Sequence, residues 1–156
     1  MMRAMVEIVP AGIDDKARLW RLLQLYSYDF SEFTGADVDQ RGEFPYPYFD
    51  AYWIEADRHP YLFRRDGTLI GFALVRAGER HDMAEFFVLR TSRGTGVGAD
   101  AARQVFALHP GEWQTRQMPT NTRATEFWRR AIPVAFTEEA TDHGPVQRFT
   151  IPDRPT

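Results

Sequence analysis

The chain has 156 residues, a formal charge of −3 with histidine neutral, 44% apolar residues and no cysteine. That length supports one domain with a buried core, residues 1–156, and the missing thiols exclude disulfides, thiolate metal centres and a cysteine nucleophile. The near-neutral balance and the lack of any long apolar run give no footing for nucleic-acid or membrane binding, so neither partner is expected.

Residues 3–9, RAMVEIV, read as a first strand. Glu7 interrupts the N-terminal apolar stretch before it reaches the length of a secretory leader, and the expected compartment is the cytoplasm. Residues 14–33 place Leu19, Leu22, Leu23 and Tyr26 at helical spacing, with Asp14 or Asp15 positioned to cap the start. The next segment carries Pro45 and Pro47 inside the aromatic run FPYPYFDAYW, which no continuous helix can cross; a short helix is expected over residues 48–55.

Residues 60–76 read as two strands joined by Asp66-Gly67, a pair that accepts the positive φ angles of a tight hairpin. HDMAEFFVL, residues 81–89, is the next strand. After three spaced glycines, residues 98–110 put Ala102, Val105 and Phe106 on one helical face and stop at Pro110-Gly111. EWQTRQM (112–118) reads as a strand, TRATEFWRRAI (122–132) as a helix and PVQRFTI (145–151) as a terminal strand. The order is strand, two helices, three strands, helix, strand, helix, then one or two strands, which predicts a mixed sheet.

Charge is unevenly spread. Residues 29–57 hold eight acids against Arg41 alone, and residues 90–130 hold seven arginines against Asp100, Glu112 and Glu126. Two differently charged ligands, or chance clustering of solvated charge, would each give this pattern.

The run Arg93-Gly94-Thr95-Gly96-Val97-Gly98 joins a strand to a helix. A helix N-terminus offers unpaired N–H groups and the positive end of the macrodipole, and glycine lets a pyrophosphate approach them closely. The spacing is not Gly-x-Gly-x-x-Gly, and the sole lysine is Lys16, so neither the dinucleotide fingerprint nor the nucleoside-triphosphate loop is present.

These residues resemble the pyrophosphate signature Arg/Gln-x-x-Gly-x-Gly/Ala of the GNAT superfamily of acyl-CoA-dependent N-acetyltransferases, with Val88 five residues upstream. Asn121-Thr122-Arg123-Ala124, followed by Phe127-Trp128, is similar to a second signature of that family. The resemblance implies an α/β domain with a mixed, mostly antiparallel twisted sheet of six to seven strands and about four helices, in which two central strands splay to admit acetyl-CoA. It implies that backbone groups from Val88 to Arg90 meet the thioester and pantetheine. Arg93 and the amides of Gly94, Gly96, Val97, Gly98 and Ala99 would then meet the pyrophosphate, and Asn121 the pantetheine arm. Many members have a tyrosine, as acid for the departing thiolate, where this chain has Trp128. Tyr46, Tyr48 or Tyr52 would replace it if the proline-rich loop covers the cleft, and Tyr48 is the residue carried forward. No metal is expected.

Acetylating an amine requires removal of an ammonium proton. Glu85 is the candidate base, because in a regular strand Met83, Glu85 and Phe87 share a face whose apolar neighbours raise the carboxyl pKa. His59, His81, His109 and His143 fall in separate turn-like segments, and the serines Ser27, Ser31 and Ser92 form no Gly-x-Ser-x-Gly elbow. The aromatic segment, with Asp29, Glu32, Asp37, Asp39, Glu43 and Asp50, suits a small or peptidyl amine of positive charge. Three readings are open at this point: an acetyltransferase acting on such an amine, a non-catalytic acyl-CoA sensor, and transfer to aminoacyl-tRNA, against which the acidic stretch argues. A homodimer through the terminal strands is compatible with the pattern.

Overall fold

The computed structural model describes residues 5–154. The elements run β1 (Glu7–Pro10), α1 (Lys16–Thr34), β2 (Arg58–Arg65), β3 (Thr68–Arg76), β4 (Arg80–Val88), α2 (Val97–Leu108), β5 (Gly111–Arg116), α3 (Thr122–Ala131), β6 (Thr137–Thr141) and β7 (Gly144–Ile151). The expected first strand is shorter than residues 3–9, and positions 3 and 4 lie outside the described residues. Among the described residues three α-helices flank the sheet rather than about four. The helix expected over 48–55 is a single 3-10 turn, Asp50–Trp53, closed when the Ile54 and Glu55 N–H groups both return to the Ala51 carbonyl, after which the chain runs into β2.

Helix α1 buries Leu19, Leu22 and Leu23 and ends at Gly35, whose φ of 68° lets its N–H return to the Ser31 carbonyl. Its start differs from expectation. Asp15 occupies the cap position without capping; its Oδ2 accepts the Gly12 N–H at 3.0 Å and its Oδ1 pairs with Arg18. The hairpin between β2 and β3 turns at Asp66 (φ 51°) and Gly67 (φ 75°), as that dipeptide requires.

The sheet order is β1-β2-β3-β4-β5-β7-β6, with every neighbouring pair antiparallel except β4 and β5. That parallel pair is brief: Arg80 faces Glu112, His81 faces Trp113, Asp82 faces Gln114, and the register ends there. From residue 83 onward β4 stays with β3 while β5 stays with β7, so the sheet opens between them.

Both faces are covered, which is why β3 is continuously buried from Ile70 to Val75. On one face α2 and α3 close a core around Phe106, Trp113, Trp128 and Phe149. On the other, α1 and the 3-10 turn close a second core around Leu23, Phe49, Leu62, Phe72 and Phe87. Gly71 sits where a Cβ would stand 2.1 Å from the Phe87 carbonyl oxygen, so β3 and β4 pair this closely only with glycine there.

A bulge divides β4. Glu85 pairs with Leu74 and Met83 with Val75, leaving Ala84 without a partner. The expectation that Met83, Glu85 and Phe87 share a face is therefore corrected: the extra residue puts Met83 in the α2/α3 core, while Phe87 belongs to the α1 core.

Candidate active site

The opening between β4 and β5 exposes a strand edge. Leu89 N–H donates to the Ile70 carbonyl at 2.8 Å, and the pairing 71↔88 to 74↔85 continues that register. Antiparallel alternation then turns the N–H groups of Val88 and Phe86 away from β3 and into the opening. The Val88 carbonyl is already engaged, accepting Arg93 Nε–H at 2.9 Å.

The chain leaves β4 through a 3-10 turn, Arg90–Ser92, and enters α2 through the glycines. Among the described residues, the N–H groups of Gly94, Thr95, Gly96, Val97, Gly98 and Ala99 have no acceptor outside the first turn of α2, whose opening bond is Asp100 N–H to the Gly96 carbonyl at 3.2 Å. Six consecutive unengaged donors thus lead into the positive end of a 12-residue helix.

The glycines serve different ends. Gly94 and Gly96 adopt φ of 77° and 83°, and a Cβ at Gly94 would meet nothing within 4 Å, so Gly94 answers to its dihedral and not to crowding. Gly98 answers to packing: a Cβ there would lie 3.1 Å from Phe127 Cε2. It seats α2 against α3.

Arg90 and Arg93 point to α1. Both guanidiniums bond the Asp29 carboxylate, Arg93 Nη2 at 2.8 Å, and hold its pKa below the usual range against the opposing effect of burial. Part of the contrast between acidic and basic halves is consequently neutralised within the molecule.

Glu85 lies on the α1 face, half-buried, with Tyr46 Oη donating to its Oε1 at 3.4 Å. Burial pushes its pKa up to about 7; hydrogen bonds from Tyr26 and Tyr46 oppose that shift, and the charge of Asp82 adds to it. Tyr26 is packed against Phe72 and Phe87, and burial beside Glu85 raises its hydroxyl well above the ordinary tyrosine value. Tyr46 is raised too, for the same reasons. Tyr48 is placed otherwise: its ring is 60% exposed and covers the Arg58 guanidinium at 5.3 Å, with the Tyr46 ring 6.4 Å away. Arg58 also lies 5.4 Å from the Tyr52 ring, and the buried Tyr52 hydroxyl has no hydrogen-bond partner among the described residues.

On the far face, Asn121 Oδ1 caps α3 by accepting the Ala124 N–H at 3.1 Å. Trp128 is buried between Phe86, Phe106 and Phe127, at ring distances of 5.0, 6.0 and 4.9 Å. Sequence reasoning passed over Tyr26, whose signal was a hydroxyl on the apolar stripe of α1. It also treated the histidines as scattered, yet His59, His81 and His109 come together, with ring centroids 4.6 Å apart for His59–His109 and 5.7 Å for His81–His109. No group of three or more metal-ligating side chains suited to a metal ion occurs among the described residues.

The model of the Acetyltransferase (GNAT) family matches residues 19–132. No curated protein matches the sequence. Among solved structures, the chain is similar to an acetyltransferase from Thermus thermophilus, with TM-score 0.72, 14% identity, and 95% and 97% of the two chains covered. AAC(6')-Ib in complex with paromomycin and acetyl-CoA gives TM-score 0.67 at 19% identity, covering 94% of this chain and 93% of that one. The GNAT domain of S. lividans PAT gives 0.69 at 15% identity, covering 94% and 90%.

Proposed function

The chain belongs to the acetyltransferase (GNAT) family, and from that premise we propose that it transfers an acetyl group from acetyl-CoA to a primary amine by direct attack in a ternary complex. The observation that carries this reading is the opening between β4 and β5, bordered by the Val88 N–H and flanked by six unengaged amides at the start of α2.

Those residues fit coenzyme A. Amides 94–99 suit a pyrophosphate, Gly94 leaves the approach clear, and the β4 edge suits an amide-bearing arm laid beside it as a strand. Asn121 commits its oxygen to the helix cap, so its amide nitrogen is the atom left to donate. When bound, acetyl-CoA supplies a thioester acyl group. The Val88 N–H is the donor we assign to polarise its carbonyl.

Glu85 takes the first proton from the ammonium, directly or through one water, which leaves a nitrogen lone pair free to form the C–N bond as the C–S bond breaks. The second nitrogen proton ends on the departing sulfur. Tyr46 donates to Glu85, whereas Tyr48 is 60% exposed, so Tyr46, ahead of Tyr48, is the tyrosine we assign to relay it. Because Trp128 offers no acid, a non-catalytic acyl-CoA sensor is the second reading. Calorimetric titration with acetyl-CoA, together with thiol release in the presence of a broad amine panel, separates the two. Binding with transfer supports the enzyme, binding without transfer to any amine supports the sensor, and no binding removes both.

A further inference from the structure

On the same sheet face as Glu85, at the base of the β3–β4 hairpin, lies a cavity of about 330 Å³ lined by Asp57, Arg76, Arg80, Asp82 and Gln114, with the turn at 77–78 as its rim. The bulge at Ala84 makes Asp82 and Glu85 neighbours on that face: Asp82 precedes the bulge on the face opposite Met83, and Glu85 follows it. Arg76 is the β3 partner of Asp82, and Gln114 its β5 partner. Arg116, two residues beyond Gln114, projects to the same face at the level where β5 departs.

These side chains carry three carboxylates, Asp57, Asp82 and Glu85, and three guanidiniums, Arg76, Arg80 and Arg116. Among the described residues none forms an ion pair with another, although Arg76 and Asp82 face each other across adjacent strands. Elsewhere on the surface, comparable neighbours close up: Arg129 with Glu138, Arg148 with Glu139, Arg58 with Glu55. Asp82 in particular is partly buried with no hydrogen bond, and burial lifts its pKa while the charges of Arg116 and Arg76 pull it down. Asp57, Asp82, Arg76 and Arg80 thus hold both signs open around the cavity, with Glu85 and Arg116 next to Asp82 outside its lining, and a ligand bearing both signs satisfies them where a simple cation leaves the arginines unanswered.

We propose that this cavity, together with Glu85 and Arg116 beside it, receives an acceptor that is itself a zwitterion, a free amino acid, with its ammonium between Asp82 and Glu85 and its carboxylate on Arg76 and Arg116. The inference rests on the acetyltransferase reading above and narrows the acceptor from any amine to an aminocarboxylate. The chemistry is the step already given, with Glu85 receiving the first ammonium proton and the sulfur the second.

The test compares free L-amino acids with their decarboxylated amines and their carboxamides as acceptors, for the wild type and for Arg76→Gln, Arg116→Gln and Asp82→Asn. Binding of the same compounds to the protein–coenzyme A complex is titrated in parallel. The expected result is preference for at least one free amino acid over both of its derivatives by tenfold or more in kcat/KM. Arg76→Gln and Arg116→Gln remove that preference by raising KM with little change in kcat, and Asp82→Asn raises KM for all three forms. Equal use of the decarboxylated amine, or arginine variants that weaken all forms alike, overturns the inference and leaves the acetyltransferase standing. Arginine-dependent binding of an amino acid with no transfer to any amine has the opposite consequence: the inference holds and the catalytic reading fails. An absence of both binding and transfer removes the two together.

Discussion

Met83 and Glu85, two residues apart on β4, lie on opposite faces of the sheet because Ala84 between them has no partner on β3. One unpaired residue therefore separates a core methionine from a carboxylate that borders the opening. It also brings Asp82 and Glu85 onto one face, where the charge of Asp82 makes Glu85 harder to ionise.

Glu85→Gln is expected to lower kcat/KM by about 10²-fold or more with coenzyme A affinity unchanged, as for loss of a general base. In the wild type, turnover falls as pH drops through about 7, where the carboxylate protonates, and the variant loses that limb. Stability moves the other way. The folded pKa lies above the unfolded value of 4.5, so the native state holds the extra proton between pH 4.5 and about 7, and the contribution of Glu85 to stability declines as pH rises across that window. Thermal unfolding at pH 5 and pH 8 will show Glu85→Gln gaining on the wild type only at the higher pH, by up to ~3 kcal/mol.

Arg93 and Arg90 share Asp29 but are not equivalent. Arg93 also holds the Val88 carbonyl and lies 5.6 Å over the Phe87 ring, whereas the Arg90 side chain is 73% exposed. Arg93→Ala is expected to weaken coenzyme A binding about tenfold, ~1.4 kcal/mol, by loosening the strand end and the turn that follows, and Arg90→Ala to change it less than twofold. Calorimetry on the two variants checks the contrast.

Asn121 has two separable tasks. Asn121→Ala removes the α3 cap and is expected to cost ~1 kcal/mol in denaturant unfolding. Asn121→Asp keeps a capping oxygen and should restore that stability, but it lacks the amide donor. Coenzyme A affinity that falls in both variants assigns the nitrogen to ligand binding; affinity that recovers in the aspartate variant assigns Asn121 to the cap alone.

The glycines are predicted to rank by their surroundings. Gly71→Ala drives a Cβ into the Phe87 carbonyl at 2.1 Å and should cost ~3 kcal/mol or more, enough to abolish soluble folded protein or lower its melting point steeply. Gly94→Ala meets open space and loses only the dihedral preference, ~1 kcal/mol. Gly98→Ala presses the Phe127 ring at 3.1 Å, and Phe127→Leu in the same chain should recover part of the loss.

His109 reports on acid stability. It shares a hydrogen bond of 2.7 Å with Tyr61 Oη, and burial with the fields of His59 and His81 lowers its pKa to about 4. His81 is fixed beside it, donating through Nε2 to the Pro110 carbonyl and accepting the Gly78 N–H at Nδ1. The unfolded chain binds this proton at 6.5 and the folded one at about 4, so stability is lost as pH falls through that interval. In a Glu85→Gln background, which removes the opposing proton uptake at that carboxyl, unfolding free energies measured from pH 7 to pH 4 will show a shallower slope once His109→Gln is added.

Element order was legible because helix and strand periods differ and because Asp66-Gly67 and Pro110-Gly111 punctuate strongly. The glycine turn was legible as well, since its unengaged groups are backbone amides whose placement follows from where a strand stops and a helix starts.

What folding alone decided is the side-chain half of the site. A bulge leaves no mark in composition, yet it reverses the face of every residue that follows, and so it settled that Glu85 meets Tyr46 and Asp82 rather than Met83. Residues as distant as Asp29 and Arg93, or His59 and His109, were brought together by strand order and helix packing. Backbone chemistry is set locally and travels with the sequence; the meeting of side chains depends on register and crossing, which are fixed only when the whole sheet closes on its two cores.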